Sequence, residues 1–301
     1  MRILVTGRDG QVARALAARS AGHELLFLGR PELDLARPEA IHEAVARLTP
    51  DLVFSVAAYT AVDRAEVEPA VAEKVNAAGP GALARAAAAM GAPIVHLSTD
   101  YVFDGTLDRP YREEDVVGPI GAYGATKLRG EQAVRESGAE WLILRTAWVY
   151  SPFGGNFVRT MLRLAEERAE LSVVSDQIGC PTSAFDIADA LLQVAGQWSG
   201  DGAAWRSGLY HFAGSEACSW ADFARRIFSL SGEMGGPAAH VRDIPASEWP
   251  TRARRPANSR LDSAHFAEVF GFRAQGFDDG LRPVIAAILE QVPCTVVGIE
   301  G

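Results

Sequence analysis

The sequence predicts an α/β fold, a doubly wound parallel sheet followed by a smaller α/β unit. Three observations predict it. The first half alternates short β-branched runs with longer alanine-rich stretches, the pattern of a parallel sheet with helices on both faces. Its strand candidates are nearly continuous apolar runs, as strands buried on both sides require. The alternation then loses its regularity after about residue 150, where shorter elements begin.

The elements read in order. Strands are expected at 2–6 (RILVT), 24–28 (ELLFL), 51–57 (DLVFSVA), 93–98 (PIVHLS) and 141–145 (WLILR). Helices are expected between them at 11–21, 38–48, 69–90 and 123–137. The alanine run 82–92, broken by Arg85, reads as a buried helix. Farther on, a helix at 156–168, a strand at 171–174 and a helix at 185–198 are readable. A Gly- and Ser-rich stretch covers 199–208, and a Pro- and Arg-rich stretch at 237–261 reads as a functional loop. The change of pattern puts a boundary near residue 150. In such folds ligands lie beyond the carboxyl ends of the strands.

Composition narrows the function classes. Apolar residues make up 48% and charged residues 22%, the profile of an ordinary globular protein. The net charge of −9 argues against a nucleic-acid or acidic-membrane partner. The one basic cluster, Arg252-Ala253-Arg254-Arg255, is too short for a DNA-binding arm but suits a small phosphorylated ligand. The start of the chain runs straight into a strand, so no signal peptide is expected. No apolar run reaches the ~18 residues of a membrane span. Three scattered cysteines (Cys180, Cys218, Cys294) and six scattered histidines suggest neither a disulfide framework nor a metal site. A reducing cytoplasm fits best.

After the first strand comes Gly7-Arg8-Asp9-Gly10-Gln11-Val12-Ala13. Glycine permits a tight strand-to-helix turn and close approach to a pyrophosphate, and the helix amino terminus offers free N–H groups to that anion. The spacing G-x-x-G-x-x-A differs from the general dinucleotide fingerprint, and an ordinary tight turn would give it too. Its position between first strand and first helix points to a Rossmann-type dinucleotide site. The second strand ends in Gly29-Arg30. An acid here would hold the ribose of NAD, whereas Arg30 favours the 2′-phosphate of NADP. Asp34-Leu35 follows, with Asp34 placed either to accept from the adenine amino group or to form a turn.

The fourth strand ends in His96-Leu97-Ser98-Thr99-Asp100-Tyr101. Hydroxyl groups replace apolar side chains where the sheet meets its ligand. Tyr123 and Lys127, at i and i+4, share one face of the next helix. A free tyrosine titrates near pH 10, and a nearby ammonium lowers that value. Tyr123 is thus the expected proton donor, Lys127 its partner, and Thr99 the donor to a substrate carbonyl. A lone Tyr-x-x-x-Lys is common on helices. The order of glycine turn, Ser98-Thr99 and Tyr123/Lys127 is not.

Seven stretches together resemble the extended short-chain dehydrogenase/reductase family, and within it the reductases of dTDP-linked 4-keto-6-deoxy sugars. They are Gly7-x-x-Gly10-Gln11, Ala57-Ala58-Tyr59-Thr60-Ala61-Val62-Asp63, Ser98-Thr99-Asp100-Tyr101-Val102-Phe103, Tyr123-Gly-x-Thr-Lys127-x-x-Gly130-Glu131, Arg145-Thr-x-Trp148-Val-Tyr150, Asp176-Gln177-x-Gly179-x-Pro181-Thr182 and Arg255-Pro256-x-Asn258-Ser259. The resemblance spans nearly the whole chain. It implies a nicotinamide cofactor, NADPH with NADH as the alternative, held by Gln11, Val12, Ala58, Tyr59, Thr60, Tyr123 and Lys127. It implies a nucleotide-sugar substrate faced by Thr99, Asp100 and Trp148, with Gln177, Thr182 and the segment from Arg255 to Asn258 near the nucleotide-sugar, where an arginine can pair with the diphosphate. It implies a Rossmann-type nucleotide-binding domain, residues 1–150 joined by part of 182–215, and a mainly substrate-binding domain, 151–301, interleaved with it. Asn76 matches an asparagine near the active site of such reductases.

Two departures stand out. Ala13 replaces the third glycine of the turn. Ala15 stands where some members carry a glutamate of a magnesium-bridged dimer, so that metal site is not expected; the chain is a monomer or homodimer. Two other readings stay open: a reductase of another dTDP-4-keto-6-deoxy sugar, and a non-catalytic protein like the regulatory subunits of methionine adenosyltransferase.

Overall fold

Side chains of Arg2–Thr6 (β1) are buried on both faces of the sheet, and the chain must cover each face with helices. The computed structural model describes residues 1–19, 22–199 and 205–291. Cys294 and part of the 199–208 stretch lie outside them. In the first half β1 is followed by α1 (Gln11–Arg19), β2 (Glu24–Leu28), α2 (Pro38–Ala46), β3 (Leu52–Ser55), α3 (Val62–Ala65), α4 (Pro69–Glu73), α5 (Gly79–Ala89), β4 (Ile94–Thr99), α6 (Ala122–Arg135) and β5 (Trp141–Thr146). The second half carries β6 (Val149–Tyr150), α7 (Phe157–Glu167), β7 (Glu170–Val174), β8 (Ile178–Gly179), β9 (Thr182–Ser183), α8 (Ala184–Ser199), β10 (Gly208–His211), β11 (Cys218–Ser219), α9 (Trp220–Glu233), β12 (His240–Ile244), α10 (Ala264–Phe270) and α11 (Phe277–Gln291).

The main sheet has the spatial order β2-β1-β3-β4-β5-β10, all parallel. Connections leave β1 toward β2 and return on its other side to β3. The carboxyl ends of β1 and β3 therefore open a crevice at a topological switch point, where such sheets bind ligands. Ala13, Ala15 and Leu16 of α1 pack with Ile187, Leu191 and Phe266 of the second half over one face. Ile41, Val45, Leu83 and Val134 cover the other. A second core, with Val158, Leu171, Phe223, Ile227 and Leu281, unites α7, α9, α11 and the β7–β12 pair.

Three readings change. The expected helix at 69–90 is interrupted by a π-helical turn at Lys74–Ala78. Its position is tied to a close approach, for a Cβ on Gly130 of α6 would fall 2.0 Å from the Asn76 carbonyl oxygen. A sixth main-sheet strand, β10, comes from the second half. Four residues after a glycine-rich stretch show no periodicity by themselves. The stretch at 237–261 is not all loop, since His240–Ile244 pairs with β7. Its exposed charges, at the edge of a two-stranded sheet, hide the strand pattern.

Candidate active site

The crevice starts at Gly7, which follows β1 with φ +78°. A Cβ there would lie 2.8 Å from the Ala57 Cβ after β3, so both its conformation and its neighbour demand glycine. Thr6 ties the two strand ends together, its hydroxyl accepting from the backbone N–H groups of Val56 and Ala57 at 3.1 and 3.2 Å. Gln11 and Val12 open α1, and Val12 is buried. The Gln11 carboxamide accepts from Ser151 at 2.7 Å and Asn156 at 3.0 Å, joining the turn to the second half. Ala58 and Tyr59 are half-buried and Thr60 is exposed along the crevice. The Asn76 amide grips Tyr59 by both backbone groups, N–H at 2.8 Å and C=O at 3.2 Å. Asn76 also donates to Thr126 on α6 at 3.1 Å, so it fixes a loop and a helix at once.

This turn fits a dinucleotide phosphate: Gly7 and Gly10 put no side chain before the amino terminus of the nine-residue helix that follows. Arg30 is exposed beyond β2. Sequence reasoning passed over Arg8, whose guanidinium reaches Glu32 at 3.2 Å and the Arg30 carbonyl at 2.8 Å. Asp34 accepts from the Ala36 N–H at 2.9 Å, which favours the turn-forming reading over adenine recognition. Leu35 is a core residue whose carbonyl packs on Gly79. Ala15 is buried beneath α8 and faces this chain's own interior.

Thr99 ends β4 and Asp100 begins the next turn, both almost fully buried. Across from them, Tyr123 stands in the first turn of α6, half-buried, its ring edge-on to Tyr101 at 5.6 Å. Gly124 permits this approach; a Cβ there would sit 2.0 Å from the Tyr101 carbonyl oxygen. Glu66 anchors the helix start by accepting from the Ala122 N–H at 2.7 Å. Tyr123, Thr99 and Asp100 thus converge at the carboxyl edge of the sheet, on the same edge as the glycine turn and two strand positions from it.

Two expectations fail in detail. Burial dominates the Tyr123 phenol and pushes its pKa up, with a hydrogen bond to Thr99 acting the other way and Asp100 adding to the rise. Lys127 does not bring it down, because the Lys127 ammonium is committed elsewhere. It donates to the Leu97 carbonyl at 2.6 Å and lies 3.3 Å from His96 Nε2. Burial lowers Lys127 itself to about 8, with Glu131 acting the other way. His96 in turn meets the Ser55 hydroxyl at 3.0 Å and is kept neutral by burial and by Lys127. Thr99 does not point its proton at the crevice either, for it donates to Asp100 Oδ1 at 2.8 Å.

Behind this cluster lies a closed ion pair. Glu131 accepts from Arg145 Nε at 2.9 Å and Nη2 at 2.8 Å, and from Ser98 at 2.6 Å. Arg145 also faces His211 Nε2 at 3.5 Å and the Phe103 ring. His211 completes the set through the Tyr111 carbonyl at 3.0 Å.

The second half supplies the far wall. Trp148 has φ +46°, rare for a bulky residue. Its indole stacks on Trp220, planes 3° apart, and donates to Ser259 at 3.1 Å. Gly179 leaves room for the indole; a Cβ there would fall 2.3 Å from it. Trp220 gave no signal in the sequence, where it reads as one aromatic on an amphipathic helix. Gln177 is half-buried just before β8.

Three of the residues expected near the nucleotide-sugar are bonded to the chain itself. Thr182 is buried, donating to the Cys180 carbonyl at 2.9 Å and accepting from Gly214 at 3.1 Å. Asn258 donates to the carbonyls of Leu107 and Arg109 and accepts twice from Arg260. Its amide is saturated by its own chain, so it braces a loop. Arg255 is held by Asp63 at 3.0 Å. Among the described residues, no group of three His, Cys, Asp or Glu side chains is placed to hold a metal ion. No described helix is long and apolar enough to cross a membrane.

A parallel sheet with helices on both faces and a glycine turn at its switch point is the Rossmann-like architecture of the short-chain dehydrogenase/reductase class. The family model described as "RmlD substrate binding domain" matches residues 1–290, and the chain belongs to that family. A curated relative, dTDP-4-dehydrorhamnose reductase of Sinorhizobium fredii, is 49% identical over 290 residues, covering 96% of this chain and 98% of the relative. The crystal structure of a dTDP-4-dehydrorhamnose reductase from Clostridium acetobutylicum superposes with TM-score 0.88 at 37% identity, covering 97% of this chain and 100% of that one. The enzyme of that name from Bacillus anthracis, in complex with NADP, superposes with TM-score 0.87 at 33% identity, covering 95% and 98%.

Proposed function

We propose that this chain reduces the 4-keto group of dTDP-4-dehydrorhamnose (dTDP-4-dehydro-6-deoxy-L-mannose) to give dTDP-L-rhamnose, with NADPH as cofactor. The observation that carries this reading is the convergence of Thr99, Asp100 and Tyr123 on the same sheet edge as the glycine turn, in a chain so similar to reductases of that name.

Reduction draws its hydride from the bound nicotinamide. The remaining chemistry belongs to the protein. As C4 accepts the hydride, the carbonyl π pair moves to oxygen, which takes a proton from Tyr123. Burial keeps that phenol protonated across the neutral range, so the donor is loaded before the substrate arrives. Gly7, Gly10, Gln11 and Val12 would surround the pyrophosphate. Arg30, with Arg8 beside it, would face the adenosine 2′-phosphate. Ala58, Tyr59 and Thr60 would border the cofactor, in a loop whose shape Asn76 holds. Lys127 would hold the nicotinamide ribose by exchanging its bond to Leu97 for one to the sugar. Trp148, Gln177 and Arg255 would border the nucleotide-sugar. Thr182 and Asn258 would brace that wall through their bonds to Cys180, Leu107 and Arg109.

The test follows NADPH absorbance with purified protein and enzymatically prepared 4-keto sugar nucleotide, with the product identified by chromatography. Oxidation with formation of dTDP-L-rhamnose is expected. Bound NADPH without oxidation would overturn the enzyme reading. A higher kcat/KM with another dTDP-4-keto-6-deoxy sugar would move the assignment to that substrate.

A further inference from the structure

The Thr99 hydroxyl has one proton and two lone pairs. It donates to Asp100 Oδ1 at 2.8 Å and accepts from the Tyr101 backbone N–H at 3.2 Å. In that arrangement no hydrogen is left for a substrate carbonyl. The remaining lone pair can only accept, and the nearby donor is the Tyr123 phenol, which would then aim its proton at Thr99. The site as it stands therefore holds two donors in unproductive directions.

Asp100 is the odd member. It is 2% exposed, and its Oδ2 has no hydrogen-bond partner among the described residues. Thr99 from β4 and Ser259 from the segment after Asn258 favour its charge. Tyr101 from its own turn, Tyr123 from α6 and Cys180 from the β8–β9 turn all face it and would be held protonated by it. Arg255, on the neighbouring segment, is tied to Asp63. Among the described residues no cation closes on the carboxyl, unlike Glu131 of α6, which Arg145 pairs.

Resting on the ketone-reduction reading, we propose that Asp100 is a positioning residue that works as the neutral acid, donating to Thr99 and so turning the Thr99 proton toward the C4 oxygen of the substrate. The valences then close. Thr99 accepts from Tyr101 N–H and from the Asp100 carboxyl, and donates to the C4 oxygen. Tyr123 is released to deliver its proton to the same oxygen. Asp100 transfers nothing; its proton stays on the carboxyl. A neutral acid also removes a buried negative charge from beside an oxygen that is becoming negative. Burial raises the Asp100 carboxyl to about 7, which makes the neutral acid accessible at neutral pH.

The experiment measures kcat and KM with NADPH from about pH 5 to about pH 9 for wild type, Asp100→Asn, Thr99→Val and the double variant. NADPH binding by fluorescence and thermal midpoints are recorded alongside. Wild-type kcat should fall about tenfold per pH unit above the Asp100 titration. Asp100→Asn supplies a permanent N–H donor to Thr99. It should lose that limb while keeping NADPH affinity and kcat within about tenfold of the acid-side value. Adding Asp100→Asn to Thr99→Val should change nothing further. Difference infrared spectra of the wild-type protein across the same range should show a protonated-carboxyl band, missing in Asp100→Asn, and this reads the acid even if a variant folds poorly. The proposal is overturned if Asp100→Asn keeps the alkaline limb. It is equally overturned if that variant raises KM alone, which would make Asp100 a plain sugar-hydroxyl acceptor. A wild-type protein that oxidises no NADPH with any 4-keto sugar defeats the parent reading instead.

Discussion

Glu131 and Asp100 are both buried carboxyl groups bonded to hydroxyls at the end of β4, yet they have opposite surroundings. Glu131 accepts two bonds from Arg145 and one from Ser98. Asp100 has Thr99, a Ser259 hydroxyl nearby and an oxygen without a partner. Their hydroxyl partners, Ser98 and Thr99, differ by one position along β4, so they point to opposite faces of the sheet. A buried charge that is fully paired stabilises only as a unit and offers nothing to a ligand. One that is left incomplete costs free energy, and such costs gather at functional sites.

This contrast is tested most severely at Arg145. Arg145→Ala leaves the buried Glu131 carboxyl with Ser98 and a 3.9 Å approach of Arg135 alone, and should destabilise the fold by about 3–5 kcal/mol in urea unfolding. A loss under 1 kcal/mol would show that the pair is not the structural member of the contrast. Next in size, Tyr123→Phe should lower kcat by about 100-fold or more, with NADPH affinity and unfolding midpoint unchanged. Near-normal turnover would remove Tyr123 from its role.

A smaller effect is expected from the pH dependence of stability. The folded-state pKa of Asp100 is raised above its ordinary value. The folded protein therefore holds a proton that the unfolded chain releases. The resulting stability is fully present below the unfolded pKa near 4 and is lost as pH rises through about 7. Relative to wild type, Asp100→Asn should gain on the order of a few kcal/mol between the acid and alkaline ends of that window, at ~1.4 kcal/mol per unit of pKa shift. A parallel pH dependence in the two proteins would contradict the raised carboxyl.

Trp220→Ala should raise KM for the nucleotide-sugar several-fold, the order of about 0.5–1.5 kcal/mol that an aromatic stack contributes. An unchanged KM would assign the Trp148 stack to packing alone. Smallest of all, Arg30→Ala should weaken NADPH binding by a few-fold, about 1 kcal/mol for an exposed charge pair, and leave NADH binding unchanged. Equal weakening of both cofactors would disconnect Arg30 from the 2′-phosphate.

Much of the site was legible because its residues are local in sequence. Gly7, Gly10 and the first helix stand side by side in the chain, and so do Ser98, Thr99 and Asp100. Tyr123 and Lys127 are one helical turn apart. What escaped was long-range. Trp148 meets Trp220, and Thr99 meets Ser259 through Asp100, across separations that no periodicity reports. Asn258 and Thr182 sit in motif positions yet spend their polar groups on their own chain.

The sequence by itself determined the alternating α/β order, the glycine turn at the first strand and the residue types at the end of the fourth. Backbone conformation, helical spacing and burial patterns depend on near neighbours, so one dimension suffices for them. Only the tertiary structure decided the protonation and direction of those residues. Burial raised Tyr123 where a nearby lysine was expected to lower it, because Lys127 is bound to Leu97 and His96. Desolvation and pairing depend on what packs around a group from distant segments, and that information exists only once the chain has folded.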